Sequence, residues 1–283
     1  MADTAVLRMR HSEVVFLAAY LKQLVDWDAR ACVRIQQRGS AAGFFGSPPT
    51  GCISFVALPL SSAGDPQDQV HDRTVSAGRL RDVLGDVSVA PRGFAGRELK
   101  MPDPVSGPLE LLELPPTSGW ELSAQGLVVE ASPSIDDAIA EFRRRVGSGS
   151  DVDEAGAQRV ANEIWSQQGW GDIPIRVLQT AKLLGFLANE EALIQTAHLA
   201  GWHRLRTGAE QVGGVQGVRP RERLEARRRC RPPARSVGAS FQDGDAQFAH
   251  EPHQVQLLLH RAGDELGGPQ EGQTGWCRVR SHG

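Results

Sequence analysis

Cys32-Val33-Arg34-Ile35-Gln36-Gln37-Arg38-Gly39-Ser40-Ala41-Ala42-Gly43-Phe44-Phe45-Gly46 is the stretch from which the fold can be read. Over residues 31–38 apolar and polar side chains alternate, Val33 and Ile35 on one face and Arg34, Gln36 and Arg38 on the other. That period of two is the signature of a strand covered on one side. Gly39-Ser40 suits a two-residue hairpin turn, because glycine accepts positive φ at the first central position. The turn predicts that Arg38 pairs with Ala41 and Ile35 with Phe44, in a second strand over 41–46. Ser47-Pro48-Pro49-Thr50-Gly51 then breaks the chain. A third strand, Cys52 to Leu60, is apolar on both faces, as a central strand covered on both sides must be.

Upstream, Ser12 is placed to cap a helix running to about Trp27, with Glu13 at the positive end of its dipole. Val14, Leu17, Leu21, Leu24 and Val25 form its apolar face, which would cover the meander. Downstream, a loop over 61–69 leads to a strand at Val70 to Val75 and a short helix from Ser76 to Leu84, ended by Gly85. Prolines crowd the segment from Val87 to Pro116, where Pro108-Leu109-Glu110-Leu111-Leu112-Glu113-Leu114 suggests one strand or one turn of helix. A further strand is expected around Gly119 to Val129, introduced by Pro115-Pro116-Thr117-Ser118-Gly119, an echo of Pro48-Pro49-Thr50-Gly51 too short to establish a repeat.

Three helices should follow. Ser134 offers a cap for Ile135 to Val146, with Asp136 and Asp137 in the first turn, Arg143 to Arg145 in the last, and Gly147 as terminator. Ser150 and Asp153 open a second helix through Gln167; Asp172 and Pro174 start a third carrying Val177, Leu178, Ala181, Leu184 and Leu187 on one face. Residues 192–199 and 201–207 read as a closing hairpin around Ala200-Gly201. The expected class is α+β: an antiparallel β-meander packed on helices, then a three-helix unit and a terminal hairpin, ending in a disordered C-terminal tail. The 1–208 body reads as one unit, with 131 as the place where it would subdivide.

The composition changes just after Gly208. Residues 209–283 contain no Ile, Lys, Met, Asn or Tyr, while Arg, Gly, Gln, Pro and His accumulate. Such a composition buries too little apolar surface to offset chain entropy. Because the over-used residues have GC-rich codons, the tail reads as a shifted frame of a GC-rich bacterial gene; a real disordered tail is the alternative. The overall charge of −3 therefore divides unevenly, −5 on the body and +2 on the tail. The acidic body argues against a nucleic-acid footprint there, whereas the basic run Arg219 to Arg235 is a candidate arm for nucleic acid. Cys32, Cys52, Cys230 and Cys277 form no C-x-x-C, a usage that suits a reducing, cytoplasmic setting. The apolar run Val14 to Leu21 is too short to span a bilayer.

No phosphate-binding, dinucleotide, nucleophile-elbow or zinc-protease motif is present. No cofactor, metal or catalytic group is therefore expected from motifs. Cys52 with His71, and His198, are the residues on which an active site without a motif would have to rest; His198 with His203, and His250, His253 and His260, have only loose metal-like spacing. Trp120, Trp170 and Trp202 each follow a glycine, which can hold a large amphipathic ring at a loop edge where it anchors a partner. Arg204 and Arg206 stand beside Trp202. These five are the candidate binding residues, and the leading functional expectation is a non-catalytic protein-binding or scaffold module. An enzyme, or nucleic-acid binding through the tail, is the alternative.

Overall fold

The computed structural model describes residues 6–61, 72–85, 97–147 and 152–208, together with the backbone of 254–260. The meander forms as the pattern dictates. Strands β2 (Cys32–Arg38), β3 (Ala41–Gly46) and β4 (Ile53–Pro59) are consecutive antiparallel neighbours, with Arg38 opposite Ala41 and Ile35 opposite Phe44. Gly39 takes φ +56 in the turn. Strand β5 (Asp72–Ser76) lies outside β2, and helix α2 (Ala77–Leu84) follows it directly, capped by the Ser76 hydroxyl accepting the Arg79 N–H.

Helix α1 (His11–Trp27) begins earlier than Ser12 would place it. Strand β1 (Val6–Met9) runs straight into it through an extended Arg10, so no side chain caps its N-terminus. Among the described residues strand β1 pairs only with β6 (Arg97–Lys100); the two escape the sequence pattern because four residues show no period. They nonetheless seat Leu7, Met9 and Leu99 in the main core.

In the second half, β7 (Glu121–Leu127) leads without a loop into α3 (Val128–Val146). This corrects the position of Ser134: it lies inside the helix, one residue after Pro133, and its hydroxyl accepts the Trp170 N–H at 3.2 Å instead of capping. Asp136 is thus in mid-helix rather than in the first turn, and it pairs with Lys182 at 2.6 Å. Helix α4 (Glu154–Trp165) is capped by Asp153, which accepts the Gly156 N–H at 2.8 Å, and α5 (Ile175–Leu183) follows. Strands β8 (Leu193–Leu199) and β9 (Trp202–Gly208) form the closing hairpin, with Ala200 at φ +45 and Gly201 at φ +85.

One element lies where the composition gave no sign of it. Residues Gln254–His260 form β10, paired with β4 on one side and β9 on the other. The rest of the 209–283 tail lies outside the described residues. With β10 in place the large sheet has, among the described residues, eight strands in the order β5-β2-β3-β4-β10-β9-β8-β7, antiparallel throughout. Residues of α1, α2, α3 and α5 share one core with the inward side chains of the sheet. Ala138, Ile164 and Ile175 make a smaller core between α3, α4 and α5. The α+β class and the three-helix unit stand as read.

Within the main core, the Tyr20 hydroxyl lies 2.7 Å from Ser54 Oγ, which donates to the Gly46 carbonyl at 3.2 Å. Burial pushes the Tyr20 phenol well above its ordinary value. A Cβ at Gly46 would fall 2.5 Å from the Tyr20 oxygen and 2.7 Å from Leu24 Cδ1, so only glycine lets the helix approach β3 this closely.

Candidate functional site

Because β4 is apolar on both faces, the sheet needs a second cover. Its even residues face the helices; Ile53, Phe55 and Ala57 face the other way and cluster there with Phe45, Leu111 and Trp202. Phe45 and Phe55 are register partners whose ring centroids lie 4.5 Å apart. The cover is the proline-rich segment 101–120, a strap across the outer face. Prolines fix φ and remove ladder donors, which suits a chain that crosses strands rather than pairing with them. Its N–H at Val105 donates to the Thr74 carbonyl at 2.9 Å, and a single tight turn at Leu109–Leu111 drives Leu111 into the cluster with no residual exposure.

Arg34, on the outward side of β2, fastens the strap. Its Nη1 donates to the carbonyls of Leu111 at 2.6 Å and Leu112 at 3.1 Å, while Nε and Nη2 grip the Asp72 carboxylate at 2.7 and 2.6 Å. Gln36 adds a bond to the same carboxylate at 3.1 Å. The guanidinium holds the Asp72 carboxyl below its ordinary range, and Asp72 in turn raises Arg34.

The strap ends at Trp120. Its indole N–H donates to the Pro116 carbonyl at 2.9 Å, and the Arg204 guanidinium sits 4.5 Å from the ring centroid, within cation–π range. Gly119, at φ +85, and Gly51, at φ +73, show that the two Pro-Pro-Thr echoes both end in a left-handed glycine. Trp202 lies in the cluster beneath, 8% exposed, with Trp120 packed against it from outside. Arg206 lies two residues beyond Arg204 on the same side of β9. Among the described residues, the exposed large apolar side chains include Leu109 (79%) and Leu112 (62%) on the strap, and Leu122 (60%) and Leu193 (57%) on β7 and β8.

Of the five residues singled out in the sequence, the fold therefore brings Trp120, Trp202 and Arg204 together and sets Arg206 alongside. Trp170 lies apart, packed against the helix-side core through its own short turn. Sequence reasoning missed Leu111, Arg34 and the exposed leucines. The only available signal was the Pro108 to Leu114 run, whose spacing could not say which leucine turns inward.

The residues weighed for chemistry fall elsewhere. Cys52 is buried beneath α5, its Sγ 3.8 Å from Thr180 Oγ1, and burial raises its thiol pKa. That is the setting of a small core side chain rather than an attacking thiolate. His71, His250 and His253, Cys230 and Cys277, and the run Arg219 to Arg235 lie outside the described residues; His260 closes β10. His198 and His203 are register partners across the closing hairpin. On β7, Ser123 Oγ lies 3.0 Å from His198 Nδ1 and Glu121 Oε2 lies 3.2 Å from Nε2, beside a bulge between Leu122 and Ala124. Both ring nitrogens are thereby engaged, with His198 and Glu121 more than half exposed. Among the described residues no group of three or more His, Cys, Asp or Glu is placed to hold a metal ion, and no helix is long and apolar enough to cross a membrane.

Residues 1–101 match the model of a domain of unknown function (DUF8010), and residues 115–213 match another (DUF8185). The strap thus spans the junction between the two matched segments. No curated protein matches the chain. Among solved structures, a Pseudomonas aeruginosa DNA polymerase sliding clamp is similar at 11% identity and TM-score 0.39, over 72% of this chain and 62% of the clamp. A Helicobacter pylori beta clamp in complex with carprofen is similar at 10% identity and TM-score 0.42, over 93% of this chain and 68% of that one. The chain spans about three fifths of the length of that Pseudomonas clamp.

Proposed function

We propose that the chain is a non-catalytic protein-binding module whose contact surface is the outer face around Trp120 and Arg204. The observation that supports this is the Trp120–Arg204 cation–π pair, set at the edge of a buried aromatic cluster. Trp and Arg are the residue types that most often dominate binding energy when they sit over a packed base. The bland alternative is that Trp120 only closes the cluster. It leaves the approach of the Arg204 guanidinium to the Trp120 ring without a role.

The test is affinity capture with the full-length chain and with Trp120→Ala and Arg204→Ala variants, followed by quantitation of co-purified proteins. Binding through this face predicts a specific set of partners lost with both variants and retained by a Lys182→Ala control on the helix side. Unchanged recovery with both variants would rule the surface out.

A further inference from the structure

Three side chains on β7 and β8 make a connected set that the Trp120–Arg204 surface does not use. His198 stands opposite Glu121 in the ladder, and Glu121 Oε2 lies 3.2 Å from its Nε2. On the other side of the ring, Ser123 Oγ lies 3.0 Å from Nδ1. Arg204 is the partner of Ala197, and His198 that of His203. Successive side chains of a strand alternate, so the imidazole lies on the face of the sheet opposite to Arg204.

The bulge is what brings Ser123 here. In a regular ladder, Glu121 opposite His198 would put residue 123 opposite residue 196, about 7 Å farther along the strand. Instead Ala124 faces Thr196, and Ser123 is the extra residue between the pairs Leu122–Ala197 and Ala124–Thr196. The inserted residue thus stays level with the ring. Bulges re-aim side chains in this way and recur beside active sites.

The carboxylate then fixes the chemistry. It can only accept hydrogen bonds, so Nε2 carries the proton and Nδ1 of the neutral ring presents its lone pair. The Ser123 hydroxyl donates into that lone pair. A hydroxyl held by a base that is itself oriented by a third group is the arrangement that activates a nucleophile.

We propose that Ser123 is an acyl-accepting site, with His198 as its general base and Glu121 setting the tautomer of the ring, and that its substrate class is an activated acyl ester or thioester. In the transfer, Ser123 Oγ bonds to the acyl carbonyl carbon as the bond from that carbon to the donor's oxygen or sulfur breaks. The serine proton passes to His198 Nδ1 and on to the departing alkoxide or thiolate, with no net change of oxidation state. The Glu121 carboxylate beside the site repels anionic electrophiles such as phosphate esters, which favours an uncharged acyl carbon. The His198 side chain is 53% exposed, so a bulky donor can reach the set. The inference adds a reactive site to the binding module and stands without the Trp120–Arg204 surface.

The experiment treats the full-length chain with p-nitrophenyl acetate and follows acetylation of individual serines by peptide mass spectrometry, with the exposed Ser118 as internal reference. General-base assistance is worth at least about 100-fold, so Ser123 should be acetylated about 100-fold faster than Ser118. His198→Ala should bring Ser123 down to the Ser118 rate, and Glu121→Gln should slow it, while hydrogen exchange on β8–β9 stays as in the unaltered chain. The pH profile gives a reading that needs no variant. His198 is faced by Glu121 across one ladder and by His203 across the other. With His198 as base, the Ser123 rate should level off once the ring is neutral, whereas a hydroxyl acting alone reacts in step with hydroxide concentration and shows no plateau. Equal rates at Ser123 and Ser118, an undiminished rate in His198→Ala, a profile without a plateau, or an acetyl group resident on His198 in place of Ser123 would each overturn the proposal.

Discussion

Leu111→Ala isolates the fastening of the strap. Leu111 is completely buried among Phe45, Phe55 and Trp202, so its truncation leaves a cavity where no neighbour is free to collapse. Changes of this kind cost about 2–5 kcal/mol. The strap's other attachments are the Arg34 bonds to two carbonyls, the Val105 N–H bond, and the packing of Leu114 and Trp120 on the same cluster. Leu111 is the fully buried side chain among them, and the Arg34 bonds are made to its own carbonyl and the next. The cost should therefore appear first as local opening of 101–118, not as global unfolding. At 1.4 kcal/mol per factor of ten, even the lower bound corresponds to about a thirty-fold loss of amide protection. Hydrogen exchange read by mass spectrometry on peptides covering 102–114 measures it, with β2–β3 peptides as the internal reference. Unchanged strap protection, or an equal loss across both regions, would refute the idea of a separately fastened cover.

Gly46→Ala should lower the unfolding free energy by about 1–3 kcal/mol in urea titration, because its methyl group overlaps Tyr20 and Leu24 in the packed core; a smaller loss would mean that α1 moves away freely. The folded-state pKa of Asp72 is depressed below 3.8, so the stability contributed by its pairing with Arg34 is present above the unfolded value and lost as pH falls through the folded one. The urea midpoint of Asp72→Asn should thus lie below that of the unaltered chain from pH 5 to 8, with the difference closing under pH 3.8; a difference that persists in acid would assign it to geometry instead.

The elements legible in the sequence are those that local chemistry determines. The Gly39-Ser40 turn sets the β2–β3 register to the residue, and Ala200-Gly201 does the same for β8–β9, because a tight turn leaves no other pairing. Ser134 misled for the converse reason: a serine after a proline has the local signature of a cap, and only the tertiary bond to Trp170 reveals its use. The class of the candidate site was half legible. Gly-Trp marked Trp120 and Trp202, but 84 positions separate Trp120 from Arg204, and no local rule relates them. Leu111 and Arg34 were hidden similarly, since their roles exist only once the strap crosses the sheet. Strand β10 was least visible because its neighbours in sequence share nothing with its neighbours in space.

That last feature has a consequence for biosynthesis. Roughly 200 residues lie between Ile53 and its partner Leu258. At a synthesis rate of about 5–20 residues per second, β4 leaves the ribosome some 10–40 s before the strand that pairs with its edge exists. During that interval the nascent chain displays a strand edge whose residues from Ile53 to Leu58 are all destined for the interior. Such an edge invites pairing with whatever extended chain is nearby. The yield of correctly folded molecules should therefore depend on translation rate and on holding chaperones more steeply than the final stability would suggest.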